Sequence, residues 1–312
     1  MALLRAQELP RRPRFQRLLR RFPQQQGRLP GAVLLREGLP DLTHPGFLGV
    51  LGWPLSSTLS PVIHTAAFGA LGIPWIYLAW PVPPGRLAAA VDGLRTLGAV
   101  GANVTMPHKS RVMPLLDEVS ADARGLGAVN TIARVGDALV GHNTDISGFA
   151  ASLQQAGAEV AGRSALVLGA GGAARSVVRA LDQMGAGNIA VCARRPEAAE
   201  AVAGLARGAR PSSWKRREES IAAAGVVVNA TPVGAEGDSP FGGVRFEPGQ
   251  VVVDLVYVPA ETELLIRARA EGAVAVGGLG MLVHQAAASV RIWTGLEPPL
   301  EDMERAAAPS GT

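Results

Sequence analysis

Lys109 and Lys215 are the only lysines in a chain whose 30 basic residues are otherwise arginine. Arginine stays charged at any accessible pH, whereas lysine can release and recover a proton. Lys109 follows Pro107, which reads as the opening of a helix, so the amine would hang near that helix's positive end. The field there disfavours a second positive charge and would lower the lysine pKa, suiting it to general acid and base work. Asp145 is the carboxylate expected to orient Lys109; if close, it would oppose that shift. Asp145 also reads as the N-cap of a helix starting at Ile146, and both roles can hold together.

A second constellation is Gly169-Ala170-Gly171-Gly172-Ala173. It follows the apolar strand 165–168 and opens a helix running to about Met184. Glycines let a backbone approach a diphosphate, and the helix N-terminus supplies N–H donors, so the turn reads as a dinucleotide site. A tight packing turn is the plainer alternative. The next strand, 189–193, ends in Ala193-Arg194-Arg195, where an NAD site ordinarily carries Asp or Glu for the ribose hydroxyls. Two guanidinium groups suit a 2′-phosphate instead, which favours NADP. Solvated surface arginines are the alternative in so arginine-rich a chain.

The elements that must hold these groups alternate between strand and helix. Phe47–Gly52, Trp75–Trp80 and Ala99–Thr105 read as strands. Helices are expected from Ser60-Pro61 to near Gly72, with Ser60 as cap, and over Leu87–Leu97. Ala128–Ala133 and Ala138–Gly141 read as a hairpin, followed by the helix Ile146–Ala156. After the glycine turn, Val226–Asn229, Val251–Leu255 and Val274–Val276 are short apolar strands, and a last helix covers about Met281–Trp293. Such alternation builds parallel sheets covered on both faces.

Composition narrows the class. Hydrophobic residues make up 48% and charged ones 18%, enough for a large core. The charge-free stretch Leu42–Gly85 is too broken by prolines to span a membrane. Cys192, the only cysteine, excludes an internal disulfide and sits in an apolar strand. Residues 1–36 carry nine arginines against one acid, Glu8, so the net charge of +4 belongs to the N-terminus and the body is net acidic. No nucleic-acid surface is expected from that body. Residues 1–45 read as an extension, disordered or preceding the true start; its lack of serine argues against a transit peptide.

Taken in order, Gly101-Ala-Asn-Val-Thr-Met-Pro-His-Lys109, Gly127-Ala-Val-Asn-Thr131 and Asn143-Thr-Asp145 resemble the successive signatures of shikimate dehydrogenases. Asn229-Ala-Thr231, Asp254-Leu-Val-Tyr257 and Gly278-Leu-Gly-Met-Leu-Val-His-Gln285 continue the resemblance, which covers about Phe47 to Gly295. It implies an α/β substrate-binding domain at 46–146, completed by a C-terminal helical segment 281–304 returning to it. It also implies a Rossmann NADP domain at 147–280. The implied reaction is NADPH-dependent reversible reduction of 3-dehydroshikimate to shikimate, without a metal. By the same resemblance Thr105, Asn130 and Gln285 bind substrate hydroxyls, Asp145 a ring hydroxyl, and Tyr257 the carboxylate. Leu255 and Gly278 would meet the nicotinamide end, and Thr231 and Gly234 would shape a cofactor-side loop. A cytoplasmic monomer or homodimer is expected.

The first family motif is altered. Trp53 replaces an asparagine, Ser57 a histidine, and Thr58 the first carboxylate-binding serine, while Ser60 is kept. Thr58 and Ser60 still offer two hydroxyls to a carboxylate, but the extra methyl narrows the pocket. Gly277 stands where the family often has Asp or Asn. A quinate or quinate/shikimate dehydrogenase is therefore the rival reading, and a catalytically silent homologue the third. Retention of Lys109 and Asp145 counts against silence.

Overall fold

Leu48, Val50 and Leu51 of strand β1 (Gly46–Gly52) are buried on both faces, as a central parallel strand requires. The computed structural model describes residues 40–55, 58–235 and 243–308. The expected extension lies outside them up to position 39, as does Ser57. β1 pairs in parallel with β2 (Trp75–Pro81) on one side and β3 (Gly101–Val104) on the other. The hairpin β5 (Thr131–Val135) and β6 (Ala138–His142) adds antiparallel strands beside β3, and the two-residue β4 (Glu118–Val119) closes the sheet. The order is β2-β1-β3-β5-β6-β4.

The two faces of this sheet have separate cores. α2 (Leu87–Thr96) covers one, packing Val91 and Leu94 with Leu51, Val104 and Ile132. The other is covered by α1 (Ser60–Ala70) together with the last two helices, α9 (Gly278–Thr294) and α10 (Leu300–Ala307). Trp293 is the anchor of the returning helix: its indole N–H donates to the Ile132 carbonyl at 2.9 Å. A Cβ at Gly101 would lie 2.5 Å from that nitrogen, so only glycine admits the ring.

The second sheet is wholly parallel. β7 (Ser164–Leu168), β8 (Asn188–Ala193), β9 (Arg210–Ser213), β10 (Val226–Asn229), β11 (Val251–Asp254) and β12 (Val274–Gly277) take the order β9-β8-β7-β10-β11-β12. This is the doubly wound arrangement, and its switch point lies between β7 and β10. α4 (Asp145–Gln155), α5 (Gly172–Gln183) and α6 (Pro196–Ala203) cover one face; α7 (Arg217–Ala223) and α8 (Glu263–Ala270) cover the other. Among the described residues, both sheets belong to one compact unit. α4 runs from the first sheet to the second and packs on α9, where a Cβ at Gly148 would fall 2.7 Å from the Gln285 Cβ.

Candidate active site

β3 delivers the first chemical group. Thr105 N–H donates to the Leu51 carbonyl at 2.9 Å, so the chain leaves the sheet in register with β1. The helix expected from Pro107 is absent. Residues 106–112 form turns with a single helical bond, Val112 N–H to the His108 carbonyl, before a short 3-10 turn, Met113–Leu115. The Lys109 carbonyl accepts instead from Val129 N–H, at 2.8 Å. The helix-dipole argument for tuning Lys109 therefore lapses. What the turn provides is position: Lys109 is tied to the segment bearing Asn130, and its amine points into a cleft.

There Lys109 Nζ meets Asp145 Oδ2 at 2.7 Å, with the lysine side chain 20% exposed and the aspartate 6%. Asn130 Nδ2 donates to the other carboxylate oxygen, Oδ1, at 2.8 Å. Asn130 is held in turn by Thr144 N–H, which donates to its Oδ1 at 2.8 Å. Asp145 is not the helix cap. Thr144 occupies that position without a side-chain cap bond, and Asp145 is the first helical residue. A carboxylate in the first turn of α4 gains from the helix field and stays free to face the cleft. Ser60 likewise lies inside α1, after Leu59 at the cap position; its hydroxyl sits 3.2 Å from that of Thr58.

A cavity of about 310 Å³ gathers these groups. Thr58, Ser60, Thr105, Lys109, Asn130 and Asp145 line it from the first sheet, and Gln285 from α9. Tyr257, Leu255, Gly278 and Ala173 close it from the second sheet. Burial pushes the Tyr257 phenol above its ordinary pKa, so it remains a donor at neutral pH. All the substrate-side residues expected from the sequence are thus brought together. Of the cofactor-side set, Leu255, Gly278 and Ala173 reach the cavity.

Gly169, Ala170, Gly171, Gly172, Ala193, Arg194 and Arg195 lie beyond it, along the carboxyl ends of β7 and β8. Gly169 takes φ +112° and donates to the Cys192 carbonyl at 2.8 Å; a Cβ there would meet the Ala230 carbonyl oxygen at 2.8 Å. A Cβ at Gly171, by contrast, would meet nothing within 4 Å, leaving open space over the first turn of α5. The first-turn N–H groups there have no intrahelical acceptor. Arg194 and Arg195 are exposed beside this turn. An open glycine, free donors and two cations fit a dinucleotide diphosphate with a 2′-phosphate. A Cβ at Gly172 would lie 3.5 Å from Lys109 Cδ, so the turn adjoins that lysine directly.

Comparison with known proteins agrees with this geometry. Residues 50–132 match the shikimate dehydrogenase substrate binding domain, and residues 278–308 match the shikimate 5'-dehydrogenase C-terminal domain. The shikimate dehydrogenase (NADP(+)) of Citrifermentans bemidjiense is 46% identical over 272 residues, covering 83% of this chain and 93% of that protein. The chain belongs to the shikimate dehydrogenase family. Another family member, from Salinibacter ruber, is 48% identical over 78% of this chain and 90% of its own. Among solved structures, the Thermus thermophilus shikimate 5-dehydrogenase with NADP(H) and shikimate has a TM-score of 0.77 at 39% identity, covering 84% of this chain and 98% of that one. The quinate dehydrogenase of Corynebacterium glutamicum with NAD has a TM-score of 0.79 at 34% identity, covering 84% and 99%.

One polar group under this family site escaped the sequence reading. Asn103 lines the cavity, accepts from the Tyr77 hydroxyl at 2.6 Å and donates to the Asn130 carbonyl at 3.1 Å. Its signal was present: a polar residue inside an otherwise apolar four-residue strand demands partners. Beneath it His64 is fully buried and stacked on Tyr77, with ring centroids 4.1 Å apart. Burial pulls its pKa down to about 4.

Proposed function

We propose that this chain catalyses the reversible, NADPH-dependent reduction of 3-dehydroshikimate to shikimate. The observation that carries the reading is the Lys109–Asp145–Asn130 constellation in a cavity flanked by Thr58, Ser60 and Tyr257. A bound NADPH supplies the hydride. As the carbonyl carbon is reduced, its oxygen gathers negative charge and needs a proton, which the Lys109 ammonium donates; in oxidation the neutral amine takes it back. Asp145 fixes Nζ at that oxygen and, with Asn130, offers hydrogen bonds to ring hydroxyls. Thr58, Ser60 and the protonated Tyr257 present three hydroxyls to the substrate carboxylate.

The cofactor assignment rests on Arg194 and Arg195 with the open turn at Gly171, and it accords with relatives named for NADP(+). We assign substrate binding to 46–146 with 281–304, and cofactor binding to 147–280. No helix among the described residues is long and apolar enough to cross a membrane. We read the protein as a cytoplasmic monomer or homodimer that binds no nucleic acid. Quinate is the second substrate reading, favoured by Thr58 in the carboxylate motif and by likeness to a quinate dehydrogenase. The purified chain, given shikimate or quinate with NADP⁺ or NAD⁺ and followed by absorbance of the reduced nicotinamide, decides among these. Turnover should be fastest with shikimate and NADP⁺; no turnover with any pair would refute the reading.

A further inference from the structure

Arg175 lies in the first turns of α5, four residues after the N-cap Gly171. A cation there opposes the helix field. No carboxylate among the described residues pairs with it within salt-bridge distance. Its guanidinium instead leaves the second sheet and grips the first: Nε and Nη2 both donate to the Leu126 carbonyl, at 2.8 and 2.6 Å. Leu126 ends the short helix α3 (Ala121–Leu126), so the cation meets a carbonyl at that helix's negative end.

The contact is closely fitted. Gly127 follows with φ +69°, and a Cβ there would come 3.0 Å from Arg175 Nη2. Two residues on, Val129 N–H holds the Lys109 carbonyl, and Asn130 holds Asp145. One short run, Leu126 to Asn130, therefore joins Arg175 to the whole acid–base constellation. At its other end, Arg175 shares its helix with Gly172, where a Cβ would lie 3.5 Å from Lys109 Cδ, and with Ala173, which lines the cavity. An anion at the α5 N-terminus would offset the cost of the cation.

We propose that Arg175 is a positioning residue that couples dinucleotide binding on the second sheet to substrate binding at Lys109 and Asn130 on the first. The inference rests on the function proposed above. Binding the diphosphate seats the first turn of α5, and Arg175 carries that placement through Leu126 to the substrate groups.

The test measures shikimate dissociation constants by calorimetry, with and without saturating NADPH, which cannot react with shikimate, for the unaltered chain, Arg175→Met and Arg175→Lys. The unaltered chain is expected to bind shikimate about 5- to 150-fold more tightly with NADPH present, the range of ordinary coupling between sites. Arg175→Met should bring that ratio close to one, while shikimate binding without cofactor changes little; loss of the Leu126 contact lowers the melting temperature, which the ratio does not read. Arg175→Lys keeps the charge but not the two-pronged grip, so its ratio should fall between. Lysine also serves as the second variant if the methionine chain does not fold. A ratio near one in the unaltered chain, or an unchanged ratio in the variants, overturns the proposal. Absence of shikimate oxidation by the unaltered chain would be a separate result: it would sink the proposed function, and this inference with it.

Discussion

His64 should make the protein acid-sensitive by an amount the structure sets. The ring is completely buried in α1, with Nδ1 2.9 Å from the Ser60 carbonyl and no partner for Nε2 among the described residues. Burial lowers its pKa from the ordinary 6.5 to about 4. Between those values the unfolded chain holds a proton that the folded chain lacks, so stability rises with pH and is lost as pH falls through the window. The full gap corresponds to about 3 kcal/mol, of which about 2 kcal/mol is lost between pH 7 and pH 5. Other groups also titrate in acid, so the comparison must be with a chain that cannot protonate here. His64→Asn can keep a donor near the Nδ1 position and removes the titration. It forfeits packing on Tyr77, but by the same amount at every pH. Urea unfolding at pH 7, 6 and 5 should show the unaltered chain losing about 2 kcal/mol more than the variant over that range. Equal losses in both chains would refute the reasoning.

Three further outcomes follow. Lys109→Met should lower kcat by about 10²- to 10⁴-fold, the usual contribution of a placed acid–base group, with NADP⁺ binding retained by calorimetry. Replacing Arg194 and Arg195 together with alanine should raise KM for NADP⁺ about 10- to 100-fold through lost charge-assisted hydrogen bonds. KM for NAD⁺, which lacks the 2′-phosphate, should hardly move, and steady-state kinetics with both cofactors reads the difference. Gly148→Ala would place its Cβ 2.7 Å from the Gln285 Cβ and 2.8 Å from its backbone nitrogen. Forcing α4 from α9 should cost about 1–3 kcal/mol in urea unfolding and raise KM for shikimate, since Gln285 lines the cavity.

Much of the cofactor half was legible in the sequence because its determinants are local. Strand 165–168, the glycine turn and the helix after it are contiguous, and their conformations follow from short-range sterics and N-terminal donors. The edge strand Arg210–Ser213 escaped, being polar and exposed; neighbouring β8 makes it a strand. The identities of Lys109, Asn130 and Asp145 were likewise readable, through ordered motifs.

What the tertiary structure alone decided is how those residues meet. Lys109 and Asp145 are 36 residues apart and come within 2.7 Å because the turns after β3 and the start of α4 border one cavity. The helix expected at Pro107 is not formed, and the Lys109 carbonyl there pairs with Val129, from a distant segment. Asp145 faces the cleft because Thr144 holds the cap position. Local sequence fixes which groups are offered. Contacts with segments distant in the chain, which no local pattern records, decide how those groups are placed and can override local helix signals.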